Sequence, residues 1–455
     1  MDTVVTIVGG GLAGSEAAWQ LAERGVSVRL YEMRPGQLSA VHVGGGLAEL
    51  VCSNSLKSLD ATTASGSLKY ELSVLGSQIL RCALETRVAA GGALAVDREA
   101  FTRLVTESLE GHPNIQIIRE EFCDLELLSK THDPCIIATG PLTSQGLEQK
   151  LIQVLGHDNL AFYDAAAPIV EADSLDKDKL FYQSRYGKNG ADYLNAPMTK
   201  EEYHRFITEL LKAKRVIPKE FETHELFQAC QPVEEVARKG PETLRYGALK
   251  PVGLLDPVTG QRPWAVVQLR PENSQATAFN LVGFQTNLIF SEQERVFRLI
   301  PGLEQANFSR YGVMHRNTFI DSPKLLTRGF ALKTRPWLRF AGQITGTEGY
   351  VEAMASGLLA ALNCYAQLQG FDEVILPEET LSGSLFSYAT DPSVTNYQPL
   401  HVNYGILKPL AEPIKHKKER YEAYSKRSKA AIDNFREQNG YLSFLPSYEI
   451  PYLLP

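Results

Sequence analysis

The pattern of apolar and polar positions at the start of the chain predicts a strand, a helix and a second strand. Val4–Val8 is a mainly apolar run, which is typical of a strand buried in a parallel sheet. The next residues predict a helix from 12 to about 24 that Gly25 ends. The stretch "VSVRLYE" then alternates apolar and polar residues up to Glu32. This order predicts a βαβ unit.

Two later stretches continue the strand and helix pattern. "CIIATGPL" predicts a buried strand that runs into Thr139 and Gly140. Further on, "LRFAGQITGTEGYVEAMASGLLAALNCYAQL" predicts a strand at residues 338–341, a glycine-rich turn and a helix. The turn contains Gly342, Gly346 and Gly349. The helix presents small residues, which allow the close approach of a strand or a cofactor: Ala353, Ala355, Ser356 and Gly357.

The middle of the chain, from 143 to about 328, loses this alternation and predicts an inserted domain. There "WAVVQLR" and "AFNLVGFQ" alternate with period two around a polar turn, as in a β-hairpin. We therefore expect an α/β fold with an inserted α+β domain. The expected domains are residues 1–165, the insertion 166–328, a return of the first domain at 329–370, and a C-terminal segment at 371–455.

Composition and charge narrow the class of protein. With 455 residues, 44% hydrophobic and 22% charged, the chain has the composition of a soluble globular protein. No targeting pattern or membrane-length apolar run is found, and the six cysteines form no C-x-x-C pair. We therefore expect no metal site, no membrane association and a reducing cytoplasm.

The charge distribution bears on nucleic acid as a partner. The net charge of −7 gives no global reason to expect it. Residues 408–429 nevertheless hold eight Lys or Arg against three Glu, and Lys212, Lys214 and Arg215 form a smaller cluster. Taken alone, such runs are more often solvated helix faces than binding sites.

The loop after the first strand predicts a dinucleotide site. Gly9, Gly11 and Gly14 form G-x-G-x-x-G, in which the glycines allow a tight turn, approach of a pyrophosphate and packing of the helix on the strand. The helix then directs its positive end at the phosphates, and Glu32 can accept from a ribose hydroxyl. The loop residues Gly10, Leu12 and Ala13 complete the candidate site.

Both NAD and FAD satisfy that motif, and the rest of the chain favours FAD. The three separated motifs resemble the glutathione-reductase-type FAD fold, in which the N-terminal unit binds the ADP part and the C-terminal strand and helix bind the flavin. Thr139, Gly140, Gly342, Gly346 and Gly349 then belong to the FAD site. A second G-x-G-x-x-G and a C-x-x-x-x-C are absent, which argues against a stable NAD(P)H domain and against a disulfide reductase.

Two cysteines lie outside any apolar stripe. Cys52 stands in "LVCSNSLKS", and Cys230 precedes a short helix predicted from about 231 to 240, with Pro232 at its first position. The positive end of that helix lowers the pKa of the Cys230 thiol, whereas Glu234 and Glu235 oppose this shift. Cys82 instead recurs with leucines at helical spacing, which predicts a core position.

A specific resemblance joins these motifs. In this order, "CSNSLKS", "GGALAVDRE", "IATGPLTS", "ADYLNAPMTKEEY", "ACQPVEEVARKG", "AVVQLRPEN", "LVGFQTNL", "RYGVMHRNTF" and "GTEGYVEAMASG" resemble the bacterial folate- and FAD-dependent tRNA uracil-5 methyltransferases. The resemblance implies methylation of a uridine in the tRNA T-loop. The carbon comes from methylenetetrahydrofolate, and the reducing equivalents come from FAD that NAD(P)H has reduced.

The resemblance also implies roles for particular residues. Uracil C5 is a poor nucleophile, so a thiolate must first add at C6. Cys230 is the candidate for this step and Cys52 for a position beside the flavin, although the two roles could be exchanged. Tyr350 matches a position at the cofactor, and His315 matches one that faces the pterin ring. The basic clusters, including the C-terminal segment, are then expected to contact tRNA.

Two other functions fit the residues alone. One is an FAD-dependent NAD(P)H oxidoreductase that acts on a small metabolite, with Cys230 structural. The other is a non-catalytic RNA-binding module that keeps FAD for structure. No stable protein partner is legible in the sequence.

Overall fold

The fold was examined in a computed structural model. It describes residues 3–39, 41–51, 53–156, 162–165, 167–187, 192–216, 231–271, 276–312, 314–394, 397 and 399–451. For residues 162–165, 187 and 314–317 only the backbone is described.

The strands of the described residues belong to four sheets. In chain order they are β1 (Val4–Val8), β2 (Ser27–Tyr31), β3 (Ser55–Ser58), β4 (Arg87–Val88), β5 (Ala93–Val96), β6 (Ile115–Ile118), β7 (Cys135–Ile137), β8 (Phe162–Ala165), β9 (Ile169–Glu171), β10 (Phe181–Tyr182), β11 (Leu194–Met198), β12 (Ala265–Pro271), β13 (Ala278–Leu281), β14 (Phe308–Arg310), β15 (Met314–Asn317), β16 (Ala331–Leu332) and β17 (Arg335–Phe340).

The helices cover the sheets and form the C-terminal part of the chain. They are α1 (Leu12–Ala22), α2 (Ala64–Val74), α3 (Gln78–Glu85), α4 (Arg98–Glu110), α5 (Leu125–Thr131), α6 (Gln145–Leu155), α7 (Lys200–Lys212), α8 (Val233–Arg238), α9 (Thr243–Tyr246), α10 (Phe290–Phe297), α11 (Ser322–Leu325), α12 (Tyr350–Gln369), α13 (Leu381–Thr390) and α14 (Lys417–Gln438).

The first sheet has the order β16-β17-β7-β1-β2-β6. All its neighbours pair in parallel except the edge pair β16 and β17. Strand β1 is central, and the chain order runs away from it on both sides, to β2 and to β7. In open parallel sheets such a reversal point is where ligands bind, beyond the carboxyl ends of the strands. The expected α/β class and βαβ unit are confirmed.

The middle of the chain forms a second, antiparallel sheet. Its order is β10-β11-β12-β13-β9-β14. The pairing of β12 with β13 confirms the predicted hairpin. Helix α7 packs beside it and begins with a capping box, in which Thr199 and Glu202 each bind the backbone of the other. Such a box satisfies donors at the helix start that would otherwise lack partners.

The buried apolar side chains form two large cores. One takes residues from 5 to 155 and from 320 to 450, and it surrounds the parallel sheet. The other takes residues from 167 to 306 and lies on the antiparallel sheet. Cys82 is buried in the first core, where burial raises the pKa of its thiol to about 12. Its predicted core position is confirmed.

The C-terminal segment packs onto the first core through one buried carboxylate. Glu71 of α2 accepts hydrogen bonds from the backbone N–H groups of Leu381 (2.7 Å) and Ser382 (2.9 Å) and from the Ser428 hydroxyl (2.5 Å). It thereby caps α13 and ties α14 to α2. Burial raises the pKa of this carboxyl.

Candidate functional site

A cleft of about 990 Å³ opens at the carboxyl ends of β1 and β7. Ten of the residues expected to bind cofactor or act in catalysis line it: Gly9, Gly11, Leu12, Ala13, Glu32, Thr139, Gly140, Gly342, Gly349 and Tyr350. The three motifs that are far apart in sequence therefore meet in one place.

The glycines of the first loop have different structural reasons. At Gly14 a Cβ atom would lie 1.9 Å from the Gly9 carbonyl oxygen, so only glycine lets the helix pack this closely. At Gly9, where φ is +103°, a Cβ would lie 2.6 Å from the Ala138 oxygen. At Gly11 a Cβ would meet no protein atom within 4 Å, and the residue faces the cleft. The absence of a side chain at Gly11 leaves space for a ligand.

The later glycines divide in the same way. Gly140 has a φ of +64°, lines the cleft and would bring its Cβ near no protein atom. Gly342 lines the cleft beside Ala13 of α1. Gly346 does not line the cleft. A Cβ there would lie 2.3 Å from the Tyr397 hydroxyl. Gly346 therefore serves the packing of this turn.

The small residues of α12 lie against α1. A Cβ at Gly357 would lie 2.2 Å from the Ala13 carbonyl oxygen, and the Ser356 hydroxyl accepts a hydrogen bond from the Gly342 N–H at 2.7 Å. The sequence predicted that these small residues allow a strand or a cofactor to approach. Gly357 instead packs on helix α1. Ala353 does line the cleft.

Glu32 is held by protein groups on both of its oxygens. Oε2 accepts from the Gly10 N–H at 2.9 Å, and Oε1 accepts from the Arg34 Nε at 2.8 Å. Burial by itself raises the pKa of Glu32, but the hydrogen bonds and charge of Arg34 outweigh it, so the net pKa is lowered. Glu32 therefore stays ionised beside the cleft, and Gly10 contributes through this bond without lining the cleft.

Several titratable residues of the cleft were not predicted from the sequence. Arg34, His42 and Glu49 line it, and Arg34 also pairs with Glu49 at 2.9 Å. Burial and the Arg34 charge lower the pKa of His42 to about 4, so its imidazole is neutral. These residues lie in an irregular loop without any motif. Only the proximity of Arg34 to Glu32 could have suggested the pair.

Tyr350 connects the cleft to the segment that contains Cys52. It is the first residue of α12, and its hydroxyl accepts a hydrogen bond from the Ser53 N–H at 3.0 Å. In the same helix turn, Glu352 is buried and pairs with Lys57 at 3.0 Å. The loop after Val51, which itself lines the cleft, is therefore tied to the start of α12 by two contacts.

Three predicted residues cannot be placed. Cys52 and Cys230 lie outside the described residues, as does the side chain of His315. The helix after Cys230 is described: α8 begins at Val233, two positions after the predicted start near Gln231, because Pro232 has an extended backbone (ψ 142°) and precedes the helix.

Both acids of α8 have partners. Glu234 is buried and accepts from the Thr286 hydroxyl (2.9 Å) and the Asn287 N–H (2.7 Å), and burial raises the pKa of its carboxyl. Glu235 pairs with Arg215 and, at 3.5 Å, with Arg238. The negative charge expected to oppose the helix dipole is therefore partly compensated.

Two other kinds of site are absent from the described residues. No helix in the described part of the chain is long and apolar enough to cross a membrane. Among the same residues, no group of three or more His, Cys, Asp or Glu side chains could hold a metal ion.

Comparison with solved structures defines the fold. Two crystal forms of GidA from Aquifex aeolicus superpose with TM-scores of 0.71 and 0.69 at 16% identity, covering 98% and 97% of this chain and 74% and 78% of theirs. The family model of glucose inhibited division protein A matches residues 4–372. Together with the glycine-lined cleft, this defines a flavoprotein with the glutathione-reductase-type FAD fold, as predicted.

Sequence relatives narrow this class to one family. The protein named methylenetetrahydrofolate–tRNA-(uracil-5-)-methyltransferase TrmFO from Natranaerobius thermophilus is 52% identical to this chain. The match covers 95% of this chain and 99% of the relative. The protein of the same name from Geobacter sulfurreducens is 53% identical, and the match covers 96% of this chain and 99% of the relative. The chain belongs to the TrmFO family. The expected resemblance is confirmed, and it covers 95% or more of this chain.

Proposed function

We propose that this protein methylates C5 of a uracil in tRNA with the carbon of methylenetetrahydrofolate, and that the uridine lies in the T-loop. The supporting observation is identity of about half the residues to TrmFO proteins over nearly the whole chain. The cleft adds a physical argument. Open space at Gly11 and Gly140 beside the start of α1 suits a pyrophosphate, which helix N-termini bind through backbone N–H groups.

The residues that line the cleft fit FAD. Gly11, Leu12 and Ala13 would hold the pyrophosphate, and Glu32 would face the ribose. Gly342, Gly349 and Tyr350 would face the flavin. Bound FAD supplies the reducing equivalents that turn the transferred carbon into a methyl group, and NAD(P)H is the proposed reductant.

The chemistry on uracil falls to a thiolate of this chain. Attack of sulfur at C6 moves electron density to C5, which then forms the bond to the folate carbon. Loss of the C5 proton and breaking of the bond between the transferred carbon and the folate nitrogen leave a methylene group on C5. A hydride adds to this group as the sulfur leaves C6, which restores the ring. Cys230 is the proposed nucleophile, and the compensated charges of Glu234 and Glu235 support a lowered pKa for its thiol.

The flavin-side role is proposed for Cys52. Its neighbour Ser53 is bonded to the Tyr350 hydroxyl, so the chain after Cys52 is fixed at the cleft. We propose that Tyr350 contacts the flavin, and that His315 faces the pterin ring of folate.

The tRNA surface is proposed to include α14. Its cations lie over tyrosine rings: Lys417 over Tyr421 at 5.3 Å and Arg427 over Tyr424 at 5.2 Å. These contacts hold the cations at the surface, where they can bind phosphates.

A labelling experiment tests the function. Unmodified tRNA is incubated with the FAD-loaded protein, NADPH and methylenetetrahydrofolate labelled in its one-carbon unit, and a parallel reaction contains labelled S-adenosylmethionine. We expect label in C5-methyl uracil only from the folate. Label from S-adenosylmethionine would refute the folate mechanism. If no label reached tRNA from either donor, the two alternative functions would remain: reduction of a small metabolite, or RNA binding without catalysis.

A trapping experiment tests the nucleophile. A T-arm RNA with 5-fluorouridine has no C5 proton to lose, so the sulfur adduct accumulates. We expect the adduct with the wild type and with the control Cys123→Ala, whose cysteine lies outside the cleft lining. Cys230→Ala should abolish it and Cys52→Ala should retain it. The reverse result would exchange the two roles.

A further inference from the structure

Exposed apolar side chains are concentrated in one part of the chain segment that forms the second core, residues 167–306. Of the fourteen large apolar residues that are exposed in the described part of the chain, seven lie between 182 and 258, and all of these except Val216 are considered together: Tyr182, Tyr186, Tyr246, Val252, Leu255 and Val258. These six are called the tyrosine face below. Concentrated exposed apolar side chains of this kind mark interaction sites.

Two chain segments of the face are joined by hydrogen bonds. The Tyr186 N–H donates to the Gly253 carbonyl at 2.9 Å, and the Leu255 N–H donates to Gln183 Oε1 at 2.9 Å. Arg185 donates to the Val252 carbonyl at 3.1 Å. The segments 182–186 and 252–255 therefore form one surface, with the Tyr186 side chain 64% exposed.

Tyr246 is linked to this surface through the turn that follows it: the Lys250 N–H donates to the Gly247 carbonyl at 3.3 Å, and Arg185 donates to the Lys250 carbonyl. Tyr246 ends α9, and 77% of it is exposed. The neighbouring Arg245 guanidinium lies 3.7 Å from the centre of the Trp264 ring and 5.8 Å from that of Tyr246. Lys200 approaches the same Trp264 ring at 5.2 Å.

The charge around the face is positive, in contrast to the whole chain. Residues 238–264 contain five Lys or Arg and two acids, while the net charge of the protein is −7. Both acids are engaged: Glu242 pairs with Arg245 at 3.1 Å, and Asp256 accepts from the Val258 N–H at 2.8 Å. Among the described residues, Lys250 and Arg262 form no salt bridge.

We infer that the tyrosine face binds looped RNA of the tRNA substrate, with bases stacked on Tyr182, Tyr186 and Tyr246 and phosphates bound by Lys250 and Arg262. Exposed rings between cations suit unstacked bases and their backbone, whereas a duplex offers no free base faces. The face lies beside α8, which packs on α9 and follows Cys230 by three residues. This inference rests on the proposed function and assigns a surface to its substrate.

The test measures binding of unmodified tRNA and of a T-arm hairpin by fluorescence anisotropy at fixed salt. Tyr186→Ala combined with Tyr246→Ala should weaken binding by about tenfold or more. Replacing both by Phe should restore it, because the ring and its stacking are kept. The control is Phe290→Ala, which removes a ring that is 52% exposed and stacks on Tyr311, away from the face. FAD content and circular dichroism monitor folding.

Salt dependence separates the cations from the rings. Replacing Lys250 or Arg262 by Ala should lower the slope of log K against log salt by about one each, and the Tyr variants should leave it unchanged. Wild-type binding by the double Ala variant would overturn the inference. So would a change of sedimentation coefficient in the Tyr variants without RNA, since the face would then join two copies of the chain.

The labelling assay keeps the two claims apart. If the wild type transfers label from folate while the double Ala variant binds tRNA normally, the function holds and the tyrosine face is refuted. If the wild type transfers no label from folate, and the double Ala variant binds RNA more weakly than the wild type, the tyrosine face is supported and the methyltransferase function is refuted.

Discussion

Replacement of Gly11 by Ala tests whether the cleft is built for a cofactor. Gly11 has a φ of −75°, which alanine adopts without strain, and its added Cβ would touch no protein atom. The fold should therefore be little affected, with a change in unfolding free energy below about 1 kcal/mol. The methyl group would instead occupy space in the cleft at the start of α1.

The expected effect on FAD binding follows from the contacts at stake. A pyrophosphate pushed away from the loop loses one or two charge-assisted hydrogen bonds, each contributing about 1.5–3 kcal/mol. Loss of one such bond corresponds to a Kd about 10- to 150-fold higher. Gly14→Ala is the contrasting variant, because its Cβ would lie 1.9 Å from the Gly9 oxygen. Overpacking there should destabilise the fold by about 1–3 kcal/mol or more.

The assay is titration of FAD-free protein with FAD, followed by flavin fluorescence, together with urea unfolding of the same variants without FAD. We expect Gly11→Ala to lose affinity at nearly unchanged stability, and Gly14→Ala to lose stability. If Gly11→Ala bound FAD as tightly as the wild type, the pyrophosphate would not lie at this loop.

Three further predictions concern buried polar groups. Burial lowers the pKa of Lys69 to about 7 from its ordinary 10.5, so the folded state binds fewer protons between these values and stability should rise with pH there. Lys69→Met should remove a slope of up to about 1.4 kcal/mol per pH unit, measured by urea unfolding at several pH values; an unchanged slope would contradict the assignment. Glu71→Ala should cost about 2–6 kcal/mol, because two backbone N–H groups of α13 lose their acceptor. Because burial raises the Glu71 pKa, stability should fall as pH rises above its ordinary 4.5, and Glu71→Gln, which stays neutral, should lack this fall. Asn54→Ala should cost about 1–3 kcal/mol, since the buried Arg270 Nε loses its acceptor, and equal thermal unfolding of variant and wild type would argue against this.

The parts of the fold that local pattern determines were predictable from the sequence. The bounds of β1 were correct, and α1 ends two residues earlier than expected, at Ala22. A buried parallel strand and a glycine-bounded helix have signatures that do not depend on distant residues. The same holds for the hairpin of β12 and β13, where the alternation of apolar and polar residues predicts both strands.

The rest of the site depends on contacts between distant residues. Arg34 and His42 enter the cleft from a loop, and loop conformations follow from packing more than from periodicity. The packing of Gly346 depends on such a contact as well: only the position of Tyr397 shows that this glycine accommodates a neighbouring ring. A buried carboxylate such as Glu71 gives no sequence signal either, because its donors come from residues more than 300 positions away.

The position of Asn54 suggests how one fold serves two chemical steps. Its side chain donates to the Val96 carbonyl in the first core's unit (3.0 Å) and to the Pro271 carbonyl of β12 (2.8 Å), and it accepts from Arg270 (2.7 Å). Buried polar contacts are directional, so they fix the relative position of two units more narrowly than apolar packing alone. In sequence, Asn54 follows Cys52 by two residues, and Arg270 belongs to the unit that continues from Cys230. Because carbon transfer requires the flavin side and the uracil side to meet at a fixed distance, a polar junction at this point is the arrangement that the proposed reaction demands.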